Sequence, residues 1–224
     1  MSDYTLRIEL ESDTVFGSGS GMNSQIDIEV QHDQYGCPFL GGRALKGILQ
    51  DECANILYSL ARQGRLAEWK NVARRIFGFS GSGYDAETAI SFSNAELPQK
   101  LHAAIINEVK IGRVSAEEVL NSITAIRYQT AVDYKTGAAR DKSLRSKRVI
   151  IRKTPFESHL KIDENSFEEK MFLAACVKAF RRAGTGRNRG TGELTAKLLF
   201  GEEKMDITET FYEMFKARVK EVTP

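Results

Sequence analysis

The sequence predicts an α+β protein, and three observations carry that prediction. Several segments alternate apolar and polar side chains with the two-residue period of a half-buried strand. Others space their apolar residues three and four apart, the stripe of an amphipathic helix. Glycine-rich and turn-forming stretches separate the two kinds. With 224 residues and 42% hydrophobic content, the chain is long enough to bury a real core, as one elaborated domain or two small ones.

The elements follow in order. Tyr4 to Leu10 places Leu6, Ile8 and Leu10 on one face and Thr5, Arg7 and Glu9 on the other, a strand. It runs into Phe16-Gly-Ser-Gly-Ser-Gly21, a flexible surface stretch, and then into a second alternating segment, Gln25 to Asp33, closed by a turn at Tyr35-Gly-Cys-Pro38. A long helix runs from Phe39 to about Arg62 on a stripe of Leu45, Ile48, Leu49, Ile56, Leu57 and Leu60. A second helix, about Arg65 to Phe77, carries the single tryptophan, Trp69, and stops at Gly78. After a glycine-rich loop, Thr88 to Ser93 reads as a strand. Pro98 to Lys110 reads as a helix with Leu101, Ala104, Ile105 and Val109 inward.

Ile126 to Arg140 pairs back on Arg148 to Lys153 as a hairpin turning at Lys135-Thr-Gly137, with a tip too polar and basic for a core. Such an arm either lies along a nucleic acid or is a disordered surface loop. Phe156 to Ile162 is another strand. Ser166 and Glu169 make a capping box for a helix from Phe167 to Arg182, with Leu173, Val177 and Phe180 as its buried stripe. A glycine loop, the strand Glu193 to Phe200 and an amphipathic helix from about Ile207 to Val219, bearing Phe211, Met214 and Phe215, complete the chain.

Charge is distributed unevenly. Between Arg127 and Lys153 there are nine basic residues against two acidic, a net +7, and Arg181 to Gly192 holds four arginines and four glycines with no acid. The formal net charge of the chain is only +2, so the remainder carries −9. Two basic segments on an otherwise acidic chain are the footprint of nucleic-acid binding; a solvated charged face is the plainer reading of either alone. In the loop Arg181 to Gly192, glycines allow close approach of a backbone and arginines offer planar donors to phosphate, so Gly184, Gly186, Gly190, Arg187 and Arg189 are candidate contacts. A flexible connector is the competing reading. The loop follows a helix and enters a strand, unlike a dinucleotide fingerprint, and lacks the Gly-Lys-Ser/Thr of a P-loop. That favours a longer polyanion.

Asp27, Glu29, His32 and Asp33 form the one close cluster of acids and imidazole in the sequence. Carboxylates there suit a hydrated magnesium ion and His32 suits proton transfer; residue by residue, a turn former at Asp33 and a solvent-facing strand residue at Glu29 are the simpler readings. Cys37, Cys53 and Cys176 are far apart with no CxxC pair, which argues against a disulfide framework and a structural zinc site and for reduced, buried thiols. The chain has no run of roughly eighteen apolar residues and no signal-like start at Met1, so a soluble cytoplasmic protein that does not enter a membrane is expected.

In this order the elements resemble the RAMP superfamily of CRISPR-associated proteins, and within it the backbone subunit of type III CRISPR effector complexes. The resemblance rests on the first strand with its Gly-rich loop and Ile26-Asp27, and on Asp33-Gln-Tyr-Gly-Cys-Pro-Phe-Leu-Gly-Gly-Arg-Ala-Leu-Lys-Gly47, which is similar to the family's turn and Leu-Lys-Gly helix start. It rests also on Thr130 to Ala139, similar to a thumb hairpin, and on the late glycine loop. Where the family has Pro-Gly-Ser, this chain has Gly41-Gly42-Arg43, which adds a cation.

The resemblance implies a ferredoxin-like βαββαβ core in one domain, residues 1–224, with a helical elaboration at 43–112 and a thumb hairpin at 127–153 as insertions. It implies copies stacked in a filament along a CRISPR RNA and its complementary target RNA, together with the large and small subunits of the complex. Asp27 falls where family members that cut target RNA place an aspartate, which implies a catalytic Asp27 working with Mg2+ or another divalent cation. Arg43, Lys46, Lys135, Arg140, Arg187 and Arg189 are then the expected RNA-backbone contacts. Two other roles are open within the family: a non-catalytic scaffold or capping subunit, and a metal-independent RNA-processing nuclease using His32.

Overall fold

β1, Ser2–Leu10, is the strand on which the sheet is built, because its apolar alternation is matched on both sides. The computed structural model describes residues 2–17, 26–78, 90–162, 167–186 and 190–220. β1 pairs antiparallel with β5, Pro155–Ile162, and with β6, Leu194–Phe200. Leu6 lies opposite Ser158 and Leu198, and Ile8 opposite Phe156 and Ala196, so one face of the three strands is continuous and covered. The short β2, Ile90–Phe92, lies on the far side of β5, and β7, Met205–Asp206, extends the edge beyond β6, giving the order β2-β5-β1-β6-β7.

The first crossover, between β1 and β2, carries α1, Gly42–Ala61, followed by α2, Leu66–Phe77. The second, between β5 and β6, is α5, Phe167–Ala179. This is the ferredoxin-like βαββαβ arrangement. α1 and β2 are thus parts of the core itself, while α3, Gln99–Lys110, α4, Ala116–Ile123, and the hairpin β3, Thr124–Gln129, with β4, Arg145–Ile150, are inserted between β2 and β5. α6, Thr208–Lys220, closes the chain.

α5 has no single apolar stripe. Every residue from Glu169 to Val177 is buried, because α2 and α6 cover the face turned away from the sheet. Trp69 of α2 stacks on Phe172 at 5.5 Å and meets Phe215 of α6 edge-on at 4.7 Å. Ser166 of the expected capping box lies outside the described residues, and the buried Glu169 carboxylate pairs with Arg75 of α2. The helix ends at Ala179, short of the expected Arg182.

Other expectations change. Among the described residues, 26–33 form isolated bridges and no named strand, because each contact leads to a different neighbour: Ile28 to Lys147, Val30 to Gly17, His32 to Pro38. Phe16, expected in a flexible surface stretch, is core and packs edge-on against Phe156 at 5.3 Å; residues 18–21 lie outside the described set. In α3, Leu101 and Ala104 are exposed, and Ile105 and Val109 only half-buried. α4 was not anticipated, although Ser115 and Glu118 spell a capping box that the structure forms.

Candidate nucleic-acid interface

The pairing of β3 with β4 decides how the basic residues are presented. Thr124 lies opposite Ile150 and Gln129 opposite Arg145, which puts Arg127 directly opposite Lys147. Opposite residues share a face, so Arg127, Lys147, Gln129 and Arg145 stand together, and two like charges face each other at a cost. Asp13 offsets part of it, its Oδ2 lying 2.9 Å from both Nε and Nη2 of Arg127.

The other edge of β4 is taken by the segment that carries Asp27. Ile28 N donates to Ser146 O at 3.3 Å and Arg148 N to Ile28 O at 2.9 Å, so Ile28 runs parallel beside Lys147. Asp27 is exposed, yet its Oδ2 accepts from Ser146 N at 2.7 Å and from Ser146 Oγ at 3.1 Å. The Ser146 backbone N–H, then its hydroxyl, holds the Asp27 carboxyl below the usual carboxylate range, with Arg145 adding to the effect. Asp27 is therefore an anion pinned to a cationic strand.

The acids of the sequence cluster separate. Asp27 goes to Ser146. Glu29 meets Arg148, with Oε1 2.9 Å from Nε in an ion pair that lacks hydrogen-bond alignment, and also accepts from Val30 N. Arg148 Nη1 donates to Asn121 and Thr124, so this cation is a brace between 26–30 and α4. Asp33 turns to His102 of α3, and His32 is exposed with Nδ1 2.9 Å from Asp33 O. Lys153 is spent similarly on Glu9 and Glu11. The +7 of the arm therefore overstates what a ligand would meet.

The arm's remaining cations, all but Lys135, line two open grooves. One, about 620 Å³, runs between Asp13, Arg127, Lys147, Arg152 and Gly190. The other, about 720 Å³, is lined by Ile28, Arg140, Lys142, Arg145 and Lys147. Lys147 belongs to both, and Asp27 adjoins the second through Ile28 and Ser146. Of the expected contacts, Arg140 and Gly190 line these grooves; Arg43, Lys46, Lys135, Gly184 and Gly186 do not. Arg43 sits in the first turn of α1, whose N-cap Gly41 supplies no side chain, and Lys46 at the start of the second; Arg43 is exposed, and desolvation lowers the Lys46 pKa. Lys135 is at the hairpin tip, 5.8 Å over the Tyr134 ring. Arg187 and Arg189 lie outside the described residues.

Gly184 has an intramolecular reason to be glycine. Its φ is +85°, and a Cβ there would lie 2.4 Å from Val15 O, against which Thr185 N also bonds at 2.9 Å. The loop is thereby anchored to 14–15, leaving Gly190 at its open end with φ +73° and no neighbour for a Cβ.

The sequence reading missed Tyr128 and Tyr134, 67% and 88% exposed on the basic hairpin. Aromatics interleaved with Arg127 and Lys135 were the available signal, since exposed rings on a cationic surface suit base stacking. It also missed Ser146, for which the sequence offers no signal.

A model described as the RAMP superfamily matches residues 7–195. No curated protein matches the chain. Among solved structures, a chain of the Type III-B Cmr-beta complex bound to cognate target RNA superposes with a TM-score of 0.60 at 14% identity, covering 88% of this chain and 97% of that one. A chain of the apo state of Type III-B Cmr-beta gives a TM-score of 0.63 at 14% identity, covering 91% and 99%. At that identity the likeness is one of fold. No helix among the described residues is long and apolar enough to cross a membrane.

Proposed function

Because the chain belongs to the RAMP superfamily, we propose that it is a CRISPR RNA-binding backbone subunit of a type III effector complex, which holds guide and target RNA and cuts the target at Asp27 with a divalent metal. It works in the cytoplasm with further copies of itself or related subunits in a filament, and with the large and small subunits. In this reading residues 1–224 are one RAMP domain; α1 and β2 belong to its core, so the helical elaboration expected at 43–112 shrinks to what lies outside them, and the thumb is at 127–153.

The observation that carries it is the face of the hairpin, where Arg127, Lys147 and Arg145 stand side by side on grooves that reach Gly190 at one end and Arg140 at the other. Like charges held this way favour a polyanion laid along them, and neutralising phosphates is the main source of RNA affinity. Tyr128 and Tyr134 add stacking surfaces for unpaired bases. The fold likeness to a subunit of a complex that carries target RNA points the same way.

Asp27 belongs to no group of three metal-ligating side chains among the described residues. It fits magnesium in the way that ion is commonly held, by one or two carboxylates with RNA phosphates and water completing the shell. Bound there, the metal would neutralise charge developing on the scissile phosphate. The protein's own part is to keep Asp27 ionised and fixed through Ser146, to anchor flanking phosphates on Arg145 and Lys147, and to bend the strand so that a 2′-hydroxyl lines up with the phosphate. A carboxyl held below its usual range is a weak base, so Asp27 orients the hydroxyl more than it takes its proton.

One observation favours the non-catalytic scaffold: the Asp27 carboxylate is already used to clamp 26–30 to β4. An assembled complex carrying Asp27→Ala separates the two. Lost target cleavage with bound RNA unchanged supports catalysis; retained cleavage would leave Asp27 a structural clamp. RNA extracted from the assembly should be short, with one fixed end and a variable remainder.

A further inference from the structure

Away from the hairpin, three ligand-bearing side chains from two distant parts of the sequence converge. Asp33 and Cys37 lie in the turn before α1, and His102 lies in α3. Their ligand atoms all fall within 4.8 Å of one another. The surroundings hold each in place. Asp33 Oδ1 accepts from Tyr35 N at 2.8 Å and Cys37 N at 2.9 Å, which leaves Oδ2 directed at His102 Nε2, 2.7 Å away. The other ring nitrogen of His102, Nδ1, is 3.6 Å from Glu96 Oε2. Cys37 is 2% exposed, and the turn is locked by Gly36, whose φ is +81° and where a Cβ would sit 1.9 Å from Ala116 O.

We propose that Asp33, Cys37 and His102 bind one divalent transition-metal ion of the zinc class, which ties the turn leading into α1 to α3. A thiolate, an imidazole and a carboxylate form a mixed donor set that zinc accepts at about 2.3, 2.0 and 2.1 Å, so its donors stand roughly 3.3–3.7 Å apart in a tetrahedron. The Asp33–His102 contact, at 2.7 Å, has to open by about half an ångström, and Cys37 Sγ, within 4.8 Å of both, has to settle into that range as the ion enters. Three protein donors leave the fourth position to water. Glu96, 3.6 Å behind His102 Nδ1, is the carboxylate that would orient the ring ligand on closing to hydrogen-bond distance, and the backbone donors on Asp33 already orient its carboxylate. Two carboxylates beside a buried thiol make the pocket negative before any ion enters. On binding, the S–H bond breaks, the metal–sulfur bond forms and the proton leaves to solvent. The thiolate discriminates against magnesium, so this centre is chemically distinct from one at Asp27.

The test uses the full chain carrying Asp27→Ala, so that a carboxylate there contributes nothing. It is stripped with a chelator and titrated with Co2+, then Zn2+. One Co2+ per chain is expected, with the intense visible bands of a four-coordinate ion and a thiolate-to-cobalt charge-transfer band, displaced by Zn2+ and untouched by excess Mg2+. Zn2+ should raise the melting temperature. Cys37→Ser should abolish the charge-transfer band and His102→Gln should weaken binding by at least about tenfold. If Cys37→Ser fails to fold by circular dichroism, His102→Gln, at a half-buried position, decides the matter. No stoichiometric binding, a bound ion without the thiolate band, or a band that survives Cys37→Ser would overturn the proposal and leave Asp33–His102 as an ion pair closing a turn.

Discussion

Asp27 and Ser146 hold each other in both directions: Ser146 N and Oγ donate to Asp27 Oδ2 at 2.7 and 3.1 Å, while Asp27 N donates to Ser146 Oγ at 3.2 Å. The acid is positioned by a residue more than a hundred places away, on the strand that also presents Arg145 and Lys147. Ser146→Ala keeps the backbone bond and drops both hydroxyl ones. In the assembled complex it should lower Asp27-dependent target cleavage with bound RNA unchanged, and Ser146→Thr should restore it. Equal cleavage by the two variants would mean that the hydroxyl does not set the acid.

The same bonds have a pH signature. The folded Asp27 pKa lies below its unfolded value of about 3.9. The stabilisation is therefore fully present above that pH and is lost as pH falls through the lower, folded value. The Ser146 amide resonance should titrate with a midpoint below about 3.9; a midpoint at or above it would contradict the pairing.

RNA affinity should separate cations by their partners. Arg145→Gln with Lys147→Gln should flatten the salt dependence of single-strand binding by roughly 1.4 in slope, about 0.7 per phosphate contact. Arg148→Gln, which removes a brace to Glu29, should leave the slope alone. Tyr128→Ala should weaken binding by about 1–3 kcal/mol at unchanged slope. Equal slopes for the Arg145/Lys147 and Arg148 variants would place the RNA elsewhere. Joint replacement of Arg187 and Arg189 is the corresponding probe of the glycine loop.

Two glycines of one loop should respond differently. Gly190→Ala carries the cost of its positive φ, about 1–2 kcal/mol. Gly184→Ala adds a collision with Val15 O at 2.4 Å and should cost at least about 3 kcal/mol. Denaturant midpoints of the two variants measure the gap.

Core packing gives a further test. Phe172→Ala removes the ring against which Trp69 stacks and should cost about 3–5 kcal/mol. For a chain of this size that lowers the melting temperature by roughly ten degrees. Trp69 is the single tryptophan and 1% exposed, so its fluorescence reports the transition directly.

The sequence by itself determined the elements whose patterns are local. The alternation of Leu6, Ile8 and Leu10, the stripe of α1 and the stop at Gly78 appear where periodicity and turn chemistry put them, because backbone geometry repeats over two to four residues; the hairpin forms about Lys135-Thr-Gly137, but its second strand is Arg145–Ile150, three residues before the expected Arg148 to Lys153. The basic arm and the glycine loop were legible in the same way, as composition. Tertiary structure decided which charges stay available and which acids meet which partners. Glu29 is consumed by Arg148, Arg127 is shared with Asp13, and Asp27 is fixed by Ser146. Asp33 keeps its turn through Tyr35 and Cys37 but turns its other oxygen to His102, 69 residues on. No local period records such meetings. They follow from the order β2-β5-β1-β6-β7, which places the insertion carrying α3, α4 and the hairpin over the loop between β1 and α1. Polar side chains brought close there must satisfy one another or water, and the fold alone chooses the pairs.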